Sequence, residues 1–280
     1  MDTTEKVWLI TGASKGLGLA LAKKVLVSGA KVIATSRNKK ELQEAFGQAG
    51  DRFLPLEISL TDEQQVQQGI KEAIQKFGRI DVVVNNAGYG QTGTLEELTA
   101  SEVKQNFEVN VFGSLHVIRY VMPHLREQGS GHIFNIASIG GFSGAFAGWG
   151  IYCATKFAVA GFTEALAAEV KGFGLHATVV YPGYFRTHFL SKESLITPAN
   201  PIEAYEAARQ SEAFHQQQMD GSQPGDPEKA ADALIAISKE VNPPIHLFLG
   251  SDALELAGKK IETINSEIAQ WRELSSSTNL

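Results

Sequence analysis

Tyr152 and Lys156, four residues apart, and Ser138, fourteen residues before the tyrosine, are the side chains of this chain best suited to proton chemistry. On a helix an i,i+4 pair lies on one face, one turn apart. A phenol ordinarily ionises at about pH 10, too high to exchange protons usefully at neutrality. A neighbouring ammonium favours the phenolate and lowers that value. A tyrosine so tuned gives a proton to a carbonyl oxygen or takes one from an alcohol, and a serine hydroxyl beside it can hold the same oxygen. The spacing Y-x-x-x-K also occurs on solvated helices, so the elements around it decide its meaning.

Val7–Ile10 reads as a short buried strand, and the turn Thr11-Gly12-Ala13-Ser14-Lys15-Gly16-Leu17-Gly18 leads into a helical pattern over Leu19–Val27. A strand, a glycine-rich turn and a helix start form a phosphate site, because the backbone approaches the ligand closely and free N–H groups point at an anion. Gly12, Gly16 and Gly18, with Ser14, Lys15 and Leu17 between them, are the candidate contacts. The spacing G-x-x-x-G-x-G is neither the G-x-G-x-x-G fingerprint nor a P-loop. Lys31–Thr35 is a second strand, and its tip, Ser36-Arg37-Asn38, carries no acid to bind a ribose 2′-hydroxyl. Arg37 offers a planar fork that suits phosphate, and Lys15 a second positive charge. NADP(H) is therefore expected over NAD(H); the plain alternative is a solvated arginine at a helix start.

Phe53–Glu57 and Ile80–Val84 read as the third and fourth strands, the latter closed by Asn85-Asn86-Ala87-Gly88 at the carboxyl end, where open α/β sheets bind ligands. Between them Thr61-Asp62-Glu63 opens a helix to about Phe77. A long helix is expected over Ser101–Arg126. Asn110 within it is a poor interior helix residue whose amide can bond main chain or water instead. Gly131–Ile136 is the fifth strand, and the Tyr152 helix runs to about Gly172. Leu175–Tyr181 is the sixth strand, followed by Pro182-Gly183 and Thr187. Residues 188–226 lack a long apolar run and read as a partly helical, mobile lid. A helix over Pro227–Ser238, a seventh strand at Ile245–Leu249 and a last helix over Asp252–Trp271 complete the pattern, with Ser275–Leu280 expected to fray. Strands alternating with helices at this spacing predict an α/β, doubly wound parallel sheet with helices on both faces.

Composition agrees with one domain over residues 1–280, with a C-terminal helical extension over 251–280. The chain has 280 residues, 43% of them hydrophobic, a net charge of −6 and one cysteine. No intrachain disulfide can form, no basic stripe marks a nucleic-acid surface, and no apolar run reaches the ~18 residues of a membrane span. The first six residues lack the charged-then-apolar layout of a leader, so a cytoplasmic protein is expected. The seven histidines are scattered without ligand spacing, and no metal site is expected.

Taken in order, Thr11-Gly12-x-x-x-Gly16-x-Gly18, Asn85-Asn86-Ala87-Gly88, Asn110, Ser138, Tyr152-x-x-x-Lys156 and Pro182-Gly183 resemble the short-chain dehydrogenase/reductase family, over about residues 6–250. The resemblance implies a seven-stranded Rossmann sheet and hydride transfer between nicotinamide and a carbonyl or alcohol carbon. It implies Tyr152 as general acid/base and Ser138 on the substrate oxygen. Lys156 would lower the phenol's pKa and hold the nicotinamide ribose, and Asn110 would hold a water linking Lys156 to solvent. It places Asn86, Ala87, Gly88, Pro182 and Gly183 along the cofactor, and Thr187 on the nicotinamide carboxamide. Glu57, with Ile58 beside it, stands where the family usually has Asp against adenine. The strand tip Ala34–Arg37 is similar to NADP-preferring members, which makes reduction of a ketone or aldehyde the expected direction. Phe142, Phe146 and Trp149, with Tyr89, either line a roomy apolar substrate pocket or pack under the lid. The two long helices resemble those by which members form homodimers or homotetramers. A non-catalytic NADP(H)-sensing scaffold is the alternative, and the presence of both tyrosine and lysine argues against it.

Overall fold

The strands alternate with helices as the periodicity requires, in a computed structural model that describes residues 6–47 and 50–280. The leader reading of the first residues falls on Met1–Glu5, outside the described residues. Seven strands, β1 (Val7–Thr11), β2 (Lys31–Ser36), β3 (Phe53–Glu57), β4 (Val82–Asn85), β6 (Gly131–Ile136), β7 (Leu175–Pro182) and β9 (His246–Leu249), form one sheet in the order β3-β2-β1-β4-β6-β7-β9. Every pairing is parallel. Order reverses between β1 and β4, so the crevice opens at their carboxyl ends.

Successive strand residues point to opposite faces, and both faces are covered. Leu9, Ile33, Val83 and Ile133 pack on one side with Val66 and Ile70 of α3 (Glu63–Phe77), Val117 and Val121 of α5 (Gly113–Gln128) and Leu166 of α6 (Gly150–Val170). Trp8, Ile10, Val32, Val84 and Phe134 pack on the other with Leu21 and Val25 of α1 (Gly16–Val27), Leu42 of α2 (Lys39–Phe46) and Leu234 of α8 (Pro227–Ile237). Two apolar layers around one sheet explain why Val7–Ile10 of β1 and Val82–Val84 of β4 are apolar in succession rather than alternating.

Three elements differ from the sequence reading. The helix expected over Ser101–Arg126 is α4 (Ala100–Phe107), a π turn (Glu108–Phe112) and α5. Asn110 lies in that wide turn, where its amide bonds main chain instead of sitting in a regular helix. Residues 188–226 form defined pieces: a short strand β8 (Leu195–Ile196) paired with β5 (Gly90–Gln91), the helix α7 (Glu206–Ala213) and a π turn (Phe214–Met219). Leu190, Leu195, Ala208 and His215 in it are buried. The last helix, α9 (Ser251–Ser276), extends past the expected fraying point. Ala253 and Ala257 pack on Ile139, and the later turns expose Ile261, Ile264, Ile268 and Trp271. Among the described residues no helix is long and apolar enough to cross a membrane.

One core histidine ties stability to pH. His132 in β6 is 5% exposed, stacks on Phe134 and has Nε2 2.9 Å from the Thr178 hydroxyl. Thr178 donates its own proton to the Pro244 carbonyl, so His132 must supply the Nε2–H. Burial pushes the imidazole pKa down to about 3. Unfolded chains bind this proton at about pH 6.5, so stability is present above that value and is lost as pH falls toward about 3. Urea melts are expected to show about 2 kcal/mol less stability from this group at pH 5 than at pH 7. The loss should shrink in His132→Gln by about that amount; equal pH dependence in both proteins would contradict the assignment.

Candidate active site

The glycine turn owes its shape to two positions. Gly12 has φ +63°, and a Cβ there would stand 2.9 Å from Ala87 Cα. Gly18 does not line the cleft; a Cβ on it would lie 2.5 Å from the Asn86 amide nitrogen. That amide donates to the carbonyls of Thr11 and Gly12, and the Thr11 hydroxyl accepts from the N–H groups of Asn86 and Ala87. The turn after β1 and the end of β4 are thus stitched together, and both edge a cleft of about 1050 Å³. Gly12, Ser14, Lys15, Gly16, Leu17, Arg37, Ile58, Asn86, Ala87, Gly88, Pro182, Gly183 and Thr187 all line it, as do Ser138, Tyr152 and Lys156. Thr187 stands beside Gly16 in the cleft wall, its Cβ 3.5 Å from where a Cβ on that glycine would be. These residues suit a dinucleotide: free backbone beside a helix start at one end, hydrogen-bonding side chains at the other.

Glu57 lies outside the cleft. It is exposed, and its carboxylate accepts from the Lys39 N–H at the first turn of α2, where the helix dipole favours an anion. The residues of that strand end that reach the cleft are Ile58 and Ser59. An acid that sequence spacing did not single out stands near Arg37: Glu41, in the first turn of α2, accepts from the Ser36 hydroxyl at 3.3 Å and from Asn38, and lines the cleft. Lys15 pairs with Glu193 at 3.4 Å across the cleft mouth, both side chains being open to solvent.

Tyr152 and Lys156 project from the first turns of α6 and are buried, at 7% and 4% exposure. The Lys156 ammonium donates to the Ile136 carbonyl at 2.9 Å and stands 5.8 Å from the Tyr152 ring centroid. Gly141 permits this: a Cβ on it would lie 2.6 Å from the Lys156 carbonyl oxygen, so only glycine lets the turn after β6 press against α6. Ser138 follows β6 and accepts from the Gly140 N–H. Asn110 donates to the Tyr89 carbonyl and to the Thr155 hydroxyl, and accepts from the Tyr89 N–H. Gly88 keeps the space beside it open, since a Cβ there would sit 3.0 Å from the Asn110 side-chain oxygen and 3.5 Å from the Lys156 nitrogen.

Burial pushes Lys156 down to about 8 and raises the Tyr152 phenol above the ordinary range, the Ser138 hydroxyl acting against that rise. The lowering that proximity to an ammonium leads one to expect is not found: burial raises the phenol, with only the Ser138 hydroxyl opposing it, so the resting tyrosine is neutral and carries a proton to give.

The aromatics divide. Phe146 and Trp149 line the cleft, and Trp149 meets Tyr152 edge-on at 5.5 Å. Phe142 turns into the core against Tyr181 and Phe248. Gln91, Tyr184, Phe189, His215 and Gln223 complete the wall. None carried a sequence signal, because Gln91 and the segment past residue 183 lie far from Tyr152 in the chain and reach it only through folding.

Fold and cleft together define a Rossmann-class protein whose cleft suits a dinucleotide. Residues 6–195 match the short chain dehydrogenase family, and the chain belongs to it. It is 40% identical over 271 residues to Oxidoreductase BOA17 of Botryotinia fuckeliana, covering 96% of this chain and 98% of that one. It is 34% identical over 268 residues to a 3-ketodihydrosphingosine reductase of Bacteroides thetaiotaomicron, covering 95% and 96%. A short-chain dehydrogenase from Streptomyces avermitilis superposes with a TM-score of 0.90 at 35% identity, over 98% of this chain and all of that one. ElxO with NADP bound gives 0.73 at 29% identity, over 89% and 99%. A Burkholderia phymatum member in complex with NAD gives 0.81 at 26%, over 95% and 96%.

Proposed function

We propose that the chain is an NADP(H)-dependent carbonyl reductase acting on an apolar ketone or aldehyde, with Tyr152 as general acid. The carrying observation is the convergence of a neutral buried phenol, a serine hydroxyl and a buried ammonium in the wall of the cleft. When bound, nicotinamide supplies the hydride. Ser138 and the Tyr152 hydroxyl hold the carbonyl oxygen, and Tyr152 gives it a proton as charge develops there. Lys156 stabilises the phenolate left behind and holds the nicotinamide ribose. Asn110 positions a water by which Lys156 exchanges protons with solvent, and Thr187 holds the carboxamide. The glycine turn with Ser14, Lys15 and Leu17, together with Ile58, Asn86, Ala87, Gly88, Pro182 and Gly183, holds the rest of the dinucleotide. The relative that reduces a ketone supports the direction. One domain carries all of this, and residues 188–226 act as the wall and lid of the substrate end. We place the protein in the cytoplasm and as a homodimer or homotetramer; light scattering on the purified chain, with a monomer mass as the opposing result, tests the assembly.

A spectrophotometric screen of NADPH and NADH against aliphatic, aromatic and ring ketones tests the activity; no oxidation of either cofactor with any substrate would sink it. Arg37 supports the preference for NADPH, since it is exposed at the cleft edge and free to meet a 2′-phosphate. Arg37→Ala should weaken NADPH at least roughly tenfold more than NADH, as a charged hydrogen bond of ordinary strength implies. Glu41 favours a second reading, NAD(H), because a carboxylate at the Ser36 hydroxyl can accept from a ribose 2′-hydroxyl. Glu41→Gln weakening NADH more than NADPH would uphold that reading over the first.

A further inference from the structure

We infer that the substrate carries a hydrogen-bond donor, a hydroxyl or an amine, on a carbon next to its reacting carbonyl, and that Tyr184, locked by His215, reads it. This rests on the reductase reading above and adds the substrate class.

The direction of one hydrogen-bond chain carries the argument. His215 Nδ1 lies 2.6 Å from the Ser211 carbonyl oxygen. A carbonyl only accepts, so Nδ1 bears the hydrogen. His215 is 7% exposed, and burial favours its neutral form, so Nε2 is a bare acceptor. The Tyr184 hydroxyl stands 2.8 Å from it and donates its single proton there. What Tyr184 shows the cleft is therefore lone pairs alone. Its oxygen is near enough to Tyr152 that charge on one phenol opposes charge on the other. Trp149, 5.5 Å from the Tyr152 ring and 4.7 Å from the His215 ring, holds the two in one wall and donates its indole N–H to the Ser211 hydroxyl.

A second side chain repeats the pattern. The Gln91 amide nitrogen donates to the carbonyls of Thr92 and Ile196 at 3.1 and 3.3 Å, leaving its oxygen as an acceptor in a residue that is 1% exposed. The Gln223 side-chain oxygen is a third buried acceptor of the wall and has no partner among the described residues. Ser138 and Tyr152 thus offer donors to the carbonyl oxygen, while Tyr184 and Gln91, whose protons are committed elsewhere, offer acceptors in the same wall. A bare ketone buries these acceptors unmatched, which costs binding. A neighbouring hydroxyl or amine matches them, while Phe146, Phe189 and Leu190 take the hydrocarbon remainder.

The test compares kcat/KM for a parent alkyl ketone and its α-hydroxy, α-amino and α-methoxy derivatives. The wild type should prefer the hydroxy or amino ketone over the parent by roughly tenfold or more, the better of the two identifying the donor. Tyr184→Phe should collapse that ratio toward one. His215→Phe frees the tyrosine proton and should narrow the gap between hydroxy and methoxy ketones several-fold, a change that loosened packing alone does not produce. Turnover of the parent ketone with no preference, or a preference that survives Tyr184→Phe, overturns this inference and leaves the reductase reading standing. No oxidation of NADPH or NADH with any of the four overturns both.

Discussion

Tyr152→Phe is expected to lower ketone reduction by roughly a hundred- to ten-thousand-fold, the range a positioned general acid contributes. The substitution removes one oxygen from a ring that is 7% exposed and held between Trp149 and Phe189. The ring still fills its place, so the fold and the glycine turn should be undisturbed. Single-turnover rates with saturating NADPH measure the chemical step, and fluorescence titration of NADPH measures binding. The expected pair of results is a collapsed rate with an affinity within about twofold of wild type, since an active-site hydroxyl not on the nucleotide phosphates contributes little there. A rate within a few-fold of wild type would show that the proton comes from another group, and the assignment would be withdrawn.

The second large effect concerns Lys156. Its ammonium is buried and has one carbonyl acceptor, and burial pushes its pKa down to about 8, below the ordinary lysine range. The positive charge that stabilises a forming phenolate is therefore present below about pH 8 and lost above it. The pH profile of kcat/KM reports the free enzyme, which is the state this geometry describes. That profile should fall as pH rises through about 8. Lys156→Met removes the charge in a side chain of similar length, and should cost roughly a hundredfold or more, the low end for losing a catalytic charge, while flattening the descent. A variant that kept the same alkaline descent would assign it to another group. If circular dichroism showed Lys156→Met unfolded, Lys156→Arg, which keeps a cation without a proton to lose below pH ~12, should likewise lack the descent near neutrality.

The motif spacings made much of the site legible. The apolar runs Val7–Ile10, Lys31–Thr35 and Leu175–Tyr181 became strands within two residues of their expected ends, because β-branched runs too short for helices and bounded by glycine or proline have few other options. Asp62 caps α3 through its side chain, as an acid before a helical run should. Tyr152 and Lys156 are on one helix, so their mutual placement followed from the 3.6-residue period alone.

Other features escaped for physical reasons. Glu57 is the last residue of β3 and Ile58 the first beyond it; which of the two met the cleft depended on where the strand ended against β2. Glu41 reaches Ser36 only because α2 folds back beside the end of β2. Phe142 and Phe146 sit in one glycine-rich loop, and the core took the first while the cleft took the second. The direction of the phenol's shift was a matter of burial, which no spacing records.

What the sequence determined by itself was local: the elements, the glycine turn, the proton-donating pair and the family they imply, since each depends on residues within a turn or a few residues of one another. The tertiary structure decided which groups stand opposite that pair. Gln91, Tyr184 and His215 come from three distant segments, and the direction of their bonds was set only when the Tyr184 hydroxyl met the His215 ring and the Gln91 amide met the Ile196 carbonyl. Hydrogen-bond direction belongs to pairs of atoms in space, and the chain order of those atoms leaves it open.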